Sequence, residues 1–101
     1  MDTIANEVCI YYDINLNDLK GRSRVRKIVE AREVFCMLAK VFEKVKNSVI
    51  ARYLNRDHST ITNAIDKYGD DYKTDRTFRI NADAIANKLI SNYATQKHSN
   101  A

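Results

Sequence analysis

A chain of 101 residues with no proline and only two glycines has few of the residues that make tight turns, and its composition favours helices throughout. At that length one modest core is possible, and 45% hydrophobic with 30% charged residues is ordinary for a globular protein and wrong for a disordered one. The expectation is therefore a single all-α domain of about five to six helices over residues 1–95. The polar tail, residues 96–101, is expected to fray and to leave His98 solvated. No internal repeat interrupts this reading.

Hydrophobic spacing places the helices. Ile4, Val8, Tyr11 and Tyr12 define a first amphipathic helix from Thr3 to Tyr12. A loop and one short helical turn follow, capped by Asn15 or Asn17, with Leu16 and Leu19 tucked under. Ser23 is positioned to cap a long helix from about Arg24 to Val45 that turns Val25, Ile28, Val29, Phe35, Leu38, Ala39 and Phe42 inward. Between Val34 and Ala39 this helix is apolar on nearly every side, which marks it as the central element. Near the C-terminus, Asn81 is expected to cap a last helix with Ala82, Ile85, Ala86, Leu89, Ile90 and Tyr93 on one face; residues 72–80 read as a loop.

The stretch from Asn47 to Tyr68 reads as two short helices joined by a tight turn, a helix-turn-helix. Asp57 is a good N-cap for the second helix, which would bury Ile61, Ala64, Ile65 and Tyr68 and end at Gly69-Asp70-Asp71. Its other face is polar: Ser59, Thr60, Thr62, Asn63, Asp66 and Lys67. Hydroxyls and a carboxamide can bond base edges and phosphates, and Arg56 and His58 stand at the helix N-terminus, the end that meets the major groove in this motif. Similar helix pairs also occur in domains that never touch DNA.

A basic cluster supplies a second argument. Lys20, Arg22, Arg24, Arg26 and Lys27 are five basic residues in eight, placed where the helix dipole would prefer acids. Such a run can be merely solvated, but phosphates would neutralise it. At about 100° per residue, Arg24, Arg32 and Lys40 form a slanting stripe along the long helix. Candidate phosphate contacts are thus Arg22, Arg26, Arg32, Lys40, Arg56 and Lys67. The net charge of +4 is compatible with nucleic acid without requiring it.

Other functions find little support. No apolar run approaches the roughly 20 residues that span a bilayer, and Asp2 and Glu7 stand where a signal peptide needs positive charge, so a cytoplasmic protein without membrane contact is expected. Cys9 and Cys36 lack metal-site spacing and read as buried thiols. Neither GxxxxGK[ST], GxGxxG nor HExxH occurs, and His58 and His98 lie forty residues apart. Adjacent Asp57, His58 and Ser59 point about 100° apart on a helix and cannot relay a proton in line. Neither enzymatic activity nor a cofactor is expected.

Arg56-Asp57-His58-Ser59-Thr60-Ile61, followed by Ala64 and Tyr68, resembles the Arg-Asp-His-Thr-Thr-Val signature of the C-terminal DNA-binding domain of the bacterial replication initiator DnaA family. Ile4-Ala5, Tyr11-Tyr12-Asp13-Ile14, Asp18-Leu19, Ser23-Arg24, Ala31-Arg32-Glu33 and Leu38-Ala39-Lys40 extend the likeness to residues 3–68. The resemblance implies a Trp-repressor-like helical fold that binds double-stranded DNA. It further implies base reading in the major groove by Asp57, His58, Ser59 and Thr60, a minor-groove role for Arg24, and DNA approach by Arg32 and Lys40. Asn63 joins the base-reading candidates from its place on the polar face.

The sequence departs from the family pattern at three points. The usual proline and glycine of the motif's first helix and the Gly-Gly before the signature are replaced by Val49-Ile50-Ala51 and Leu54-Asn55, and Ser59 lacks the methyl of a threonine. The family's ATPase domain is not covered, so no nucleotide is expected. The leading expectation is sequence-specific duplex binding by a monomer, in replication initiation or transcriptional regulation. The alternative is a helical protein–protein adaptor that keeps the fold.

Overall fold

The computed structural model describes the backbone of residues 1–99 and the side chains of residues 1–93. The expectations for the tail beyond Gln96 and for His98 concern side chains outside the described residues. Among the described residues there are six helices and no strand: α1 (Asp2–Tyr12), α2 (Leu16–Lys20), α3 (Arg26–Glu43), α4 (Asn47–Leu54), α5 (His58–Thr74) and α6 (Arg76–Ser99).

α3 is central because its sequence leaves no polar stripe wide enough to face water along its middle. Val34, Phe35 and Ala39 have no exposed surface, and α3 packs against all five other helices. Ile4 and Val8 of α1, Leu19 of α2, Ile50 and Leu54 of α4, Ile61 of α5, and Phe78, Ile85 and Leu89 of α6 complete one core. Each such side chain contributes about 1.5–3 kcal/mol when withdrawn from water. α4 and α5 form the helix-turn-helix, seated on the core through Ile50, Leu54 and Ile61.

No described helix ends on a left-handed glycine, although Gly21 follows α2 in an extended conformation. Asp13, Lys44 and Asn55 each adopt φ of 55° at the C-termini of α1, α3 and α4. Asp and Asn tolerate this left-handed conformation, whereas Lys44 does so against its Cβ. α2 begins with a capping box in which the Asn15 side chain accepts from the Asp18 N–H at 2.8 Å and Asp18 accepts from the Asn15 N–H at 3.2 Å.

Several expected boundaries and faces are corrected. α3 starts at Arg26, not Arg24, because Ser23 Oγ accepts from the Val25 N–H at 3.2 Å and so makes a local turn ahead of the helix. Val25 is therefore exposed. Leu16 and Ile90 also face outward, as does Tyr11, whose hydroxyl donates to Asn81 Oδ1 at 2.7 Å. Cys36 is buried as expected, but Cys9 is only half-buried.

α5 does not stop at Gly69. It continues to Thr74, held by stacking of Tyr68 on Tyr72 at 5.7 Å and by the Lys67–Asp71 pair at 3.1 Å. The expected loop at 72–80 shrinks to Asp75, whose Oδ1 accepts from the Phe78 N–H at 3.1 Å and so caps α6 six residues before Asn81. Phe78 then enters the core edge-on to Tyr68 at 5.3 Å. Aromatic packing overrides the local turn signal.

One carboxyl group lies in the core. Glu33 is 4% exposed, and burial together with the facing Asp71 pushes its pKa from 4.5 up to about 8. The folded chain thus keeps a proton that the unfolded chain releases, and stability falls as pH rises between those two values.

Three substitutions test these features. Gly69 has open space where a Cβ would stand, so Gly69→Ala raises stability by about 0.5–1 kcal/mol, and Lys44→Gly by about 1 kcal/mol. Urea midpoints read both changes, and a loss in either variant contradicts the backbone account. Glu33→Gln, isosteric with the neutral acid, flattens stability against pH between about 4.5 and 8 relative to the parent. The difference between the two profiles approaches about 1.4 kcal/mol per pH unit, the value for one proton. Parallel profiles for parent and variant would show that Glu33 is ionised in the fold.

Candidate nucleic-acid interface

The turn between α4 and α5 consists of Asn55, Arg56 and Asp57. Asn55 reverses the chain in the left-handed conformation, and its N–H donates to the Arg52 carbonyl at 3.2 Å. The Arg56 N–H donates to the Ala51 carbonyl at 2.9 Å, which closes the end of α4 without the glycines usual at such a turn.

Asp57 occupies the N-cap position of α5, but its carboxylate makes no capping bond, contrary to the role expected from sequence. The carboxylate is exposed, as are His58, Ser59 and Asn63, while Thr60 is half-buried. None of these five side chains has a hydrogen-bonding partner among the described residues. They form a polar surface over the first turns of α5, with Ile61 anchoring the opposite face in the core.

Two further elements border this surface. Lys40 at the end of α3 donates to Asn47 Oδ1 at 2.6 Å, and Asn47 Nδ2 donates to Thr62 Oγ1 at 3.3 Å. This chain of contacts brings an exposed ammonium beside α5 and leaves Lys40 with spare donors. Asn47 is a member the sequence did not single out, since it reads only as the first residue of a helix.

On the other side runs the loop from Gly21 to Val25, where Arg22 and Arg24 are exposed without an ion-pair partner among the described residues. Gly21 is required there by close approach, for a Cβ would meet the Asn17 carbonyl oxygen at 2.9 Å.

The remaining basic candidates are placed otherwise than the sequence suggested. Arg32 points inward, donating from Nε to the Leu19 carbonyl at 3.0 Å, from Nη1 to that of Ser23 at 2.6 Å and from Nη2 to that of Asp18 at 3.0 Å. Arg56 donates from Nη1 to the Gly21 carbonyl at 2.8 Å. Burial and the neighbouring Arg56 guanidinium lower the Arg32 pKa, yet no carboxylate pairs with either arginine among the described residues. In the free protein both guanidinium groups support the basic loop. Their bonds are satisfied by carbonyls and their charge is not neutralised, which leaves a positive potential under that loop.

Arg26 and Lys67 lie elsewhere. Arg26 pairs with Asp75 at 3.3 Å and Lys67 with Asp71 at 3.1 Å, and both border a cleft lined by Val29, Glu30, Glu33 and Asp71. Both thus stand in acidic surroundings, apart from the exposed polar turns of α5. The stripe drawn through Arg24, Arg32 and Lys40 assumed one continuous helix, and the turn at Ser23 takes Arg24 off it. What the fold brings together is Asp57, His58, Ser59, Thr60 and Asn63, with the loop that carries Arg22 and Arg24 tied to the turn through Arg56 and with Lys40 joined to α5 through Asn47.

No described helix is long and apolar enough to cross a membrane, and no group of three or more His, Cys, Asp or Glu among the described residues is arranged to hold a metal.

Comparison with known proteins agrees with this geometry. Residues 1–67 match the model of the bacterial dnaA protein helix-turn-helix. The chain is 31% identical to the chromosomal replication initiator protein DnaA of Nautilia profundicola over 90 residues, 88% of this chain and 21% of that one. It is 31% identical to the protein of that name from Bacteroides fragilis, over 88% of this chain and 19% of the relative. With the one from Campylobacter concisus it shares 32% identity over 90% of this chain and 21% of the relative. The chain spans about a fifth of the length of the curated relatives it matches. With the match running from α1 through the unpartnered first turns of α5, the chain belongs to the bacterial DnaA helix-turn-helix family.

Proposed function

We propose that the chain binds double-stranded DNA at a preferred sequence, with the first turns of α5 in the major groove. The observation that carries this reading is the set of five polar side chains, Asp57, His58, Ser59, Thr60 and Asn63, left without hydrogen-bonding partners among the described residues at the end of α5 that Arg56 ties to the basic loop. An exposed polar set on a helix anchored by the buried Ile61 can present donors and acceptors to base edges without reordering the backbone, at the entropic cost of fixing the side chains themselves. Arg24 enters the adjacent minor groove, and Arg22 and Lys40 meet phosphates.

The relatives are named for chromosomal replication initiation, which favours that process over transcriptional regulation for this chain. The role is one of binding alone: a cytoplasmic monomer on DNA, with no catalytic step and no nucleotide.

Thr60→Ala weakens binding to the preferred duplex by about 1–3 kcal/mol and spares a scrambled duplex. Lys40→Ala weakens both about equally and makes the dependence of affinity on salt shallower by about one unit of logarithmic slope. Fluorescence anisotropy on duplexes selected from random sequence and on scrambled controls, each at two salt concentrations, measures all four quantities. Equal, salt-collapsing affinity of the parent chain for both duplexes would end the sequence-specific reading.

A further inference from the structure

We propose that Arg56, with Arg32, acts as a positioning residue that fixes the distance between the basic loop and the reading helix, so that the protein measures the spacing between the two DNA segments these elements touch. The inference rests on the proposed DNA binding and adds to it a determinant of specificity that makes no base contact.

Arg56 belongs to the turn of the helix-turn-helix, one residue from Asp57, and its guanidinium reaches across to the Gly21 carbonyl at 2.8 Å. Arg32, rooted in the central helix, takes the carbonyls of Asp18, Leu19 and Ser23 with three separate donors at 2.6–3.0 Å. Two guanidinium groups thus hold the chain on both sides of Arg22, and the close approach of Gly21 to the Asn17 carbonyl removes further slack. The loop has no helix of its own and contributes no residue to the buried core between Leu19 and Ile28. Without these bonds little else holds it.

Charge-assisted bonds to carbonyls are strong and directional, and the planar fork of an arginine loses less freedom in making them than a lysine would. A loop fixed in this way presents Arg24 at one distance and rotation from residues 57–60. On B-form DNA, one inserted base pair moves a contact by about 3.4 Å and turns it by about 35°. A fixed loop cannot follow that displacement, whereas a freed loop of five residues can.

Two measurements on the intact chain test this. Limited trypsin cleavage after Arg22 and Arg24 reads the loop without DNA: Arg56→Ala raises the cleavage rate about tenfold while the thermal transition of the helices stays cooperative, and Arg56→Lys, which can still donate once to Gly21, restores part of the protection. The second measurement scans a selected high-affinity duplex with single base-pair insertions. The parent chain loses about tenfold or more in affinity at insertions between the two contacted segments, and Arg56→Ala loses less than about threefold there.

A cleavage rate unchanged in both Arg56→Ala and Arg32→Ala overturns the positioning role. A freed loop with undiminished discrimination overturns the spacing role alone and leaves the DNA reading intact. A freed loop in a chain whose parent prefers no duplex overturns the DNA reading, and the spacing role with it, while the clamp stands. An Arg56→Ala defect that simply adds to that of Arg24→Ala and lowers the salt slope assigns Arg56 to a phosphate and likewise overturns the proposal.

Discussion

Everything in this domain depends on the burial of α3. Because Val34, Phe35 and Ala39 have no exposed surface, every other helix must cover part of one rod, and their mutual placement follows from where on it each finds room. α4 and α5 acquire their relative angle in this way, through Ile50, Leu54 and Ile61, and not from the turn between them. That explains how a helix-turn-helix tolerates Leu54-Asn55 in place of the usual glycines. The turn needs only one residue in the left-handed conformation, and Asn55 supplies it.

The same rod organises charge. Arg32 lies on the half-covered flank of α3, where it forms no ion pair among the described residues, and three carbonyls of the preceding segment meet its donors. A half-buried cation is tolerated when its hydrogen bonds are complete. Glu33, its neighbour in sequence, meets burial in the opposite way and stays protonated near neutral pH, facing Asp71 from the side of α3 that α5 covers. One turn of helix therefore carries an arginine that keeps its charge and a glutamate that gives it up. The difference lies in the partners: carbonyl oxygens stabilise a cation, and a second carboxylate penalises an anion.

Much of this was legible in the sequence. Helical periodicity locates α1, α3, α4 and the start of α5, the apolar run from Val34 to Ala39 marks the central helix, and the polar face from Asp57 to Thr60 with Asn63 is readable from spacing. What failed was local punctuation. Gly69 reads as a helix end but lies in mid-helix because Tyr68, Tyr72 and Phe78 pack on one another across the joint, a long-range effect that no window of neighbours contains. The surroundings of the basic residues are hidden for a related reason. Composition reveals that arginines are present but not whether they face solvent, and Arg32 and Arg56 find carbonyls that the sequence does not display. Gly21, one of only two glycines, was the signal that two backbone segments come close there.

The single-residue joint at Asp75 has a mechanical consequence. α5 is about 25 Å long at the usual rise per residue, and His58 sits at one end while the other is fastened to α6 by Asp75, the Tyr68–Phe78 contact and the bond from Arg79 to the Tyr72 carbonyl. Ile61, three residues from His58, is fully buried, so α5 is pinned near both ends, by the core beside its exposed polar turns and by the aromatic contacts at the joint. A rod held at two points roughly 17 Å apart cannot swing about either one. A change at the joint reaches the polar turns only as a slide or twist of the whole helix.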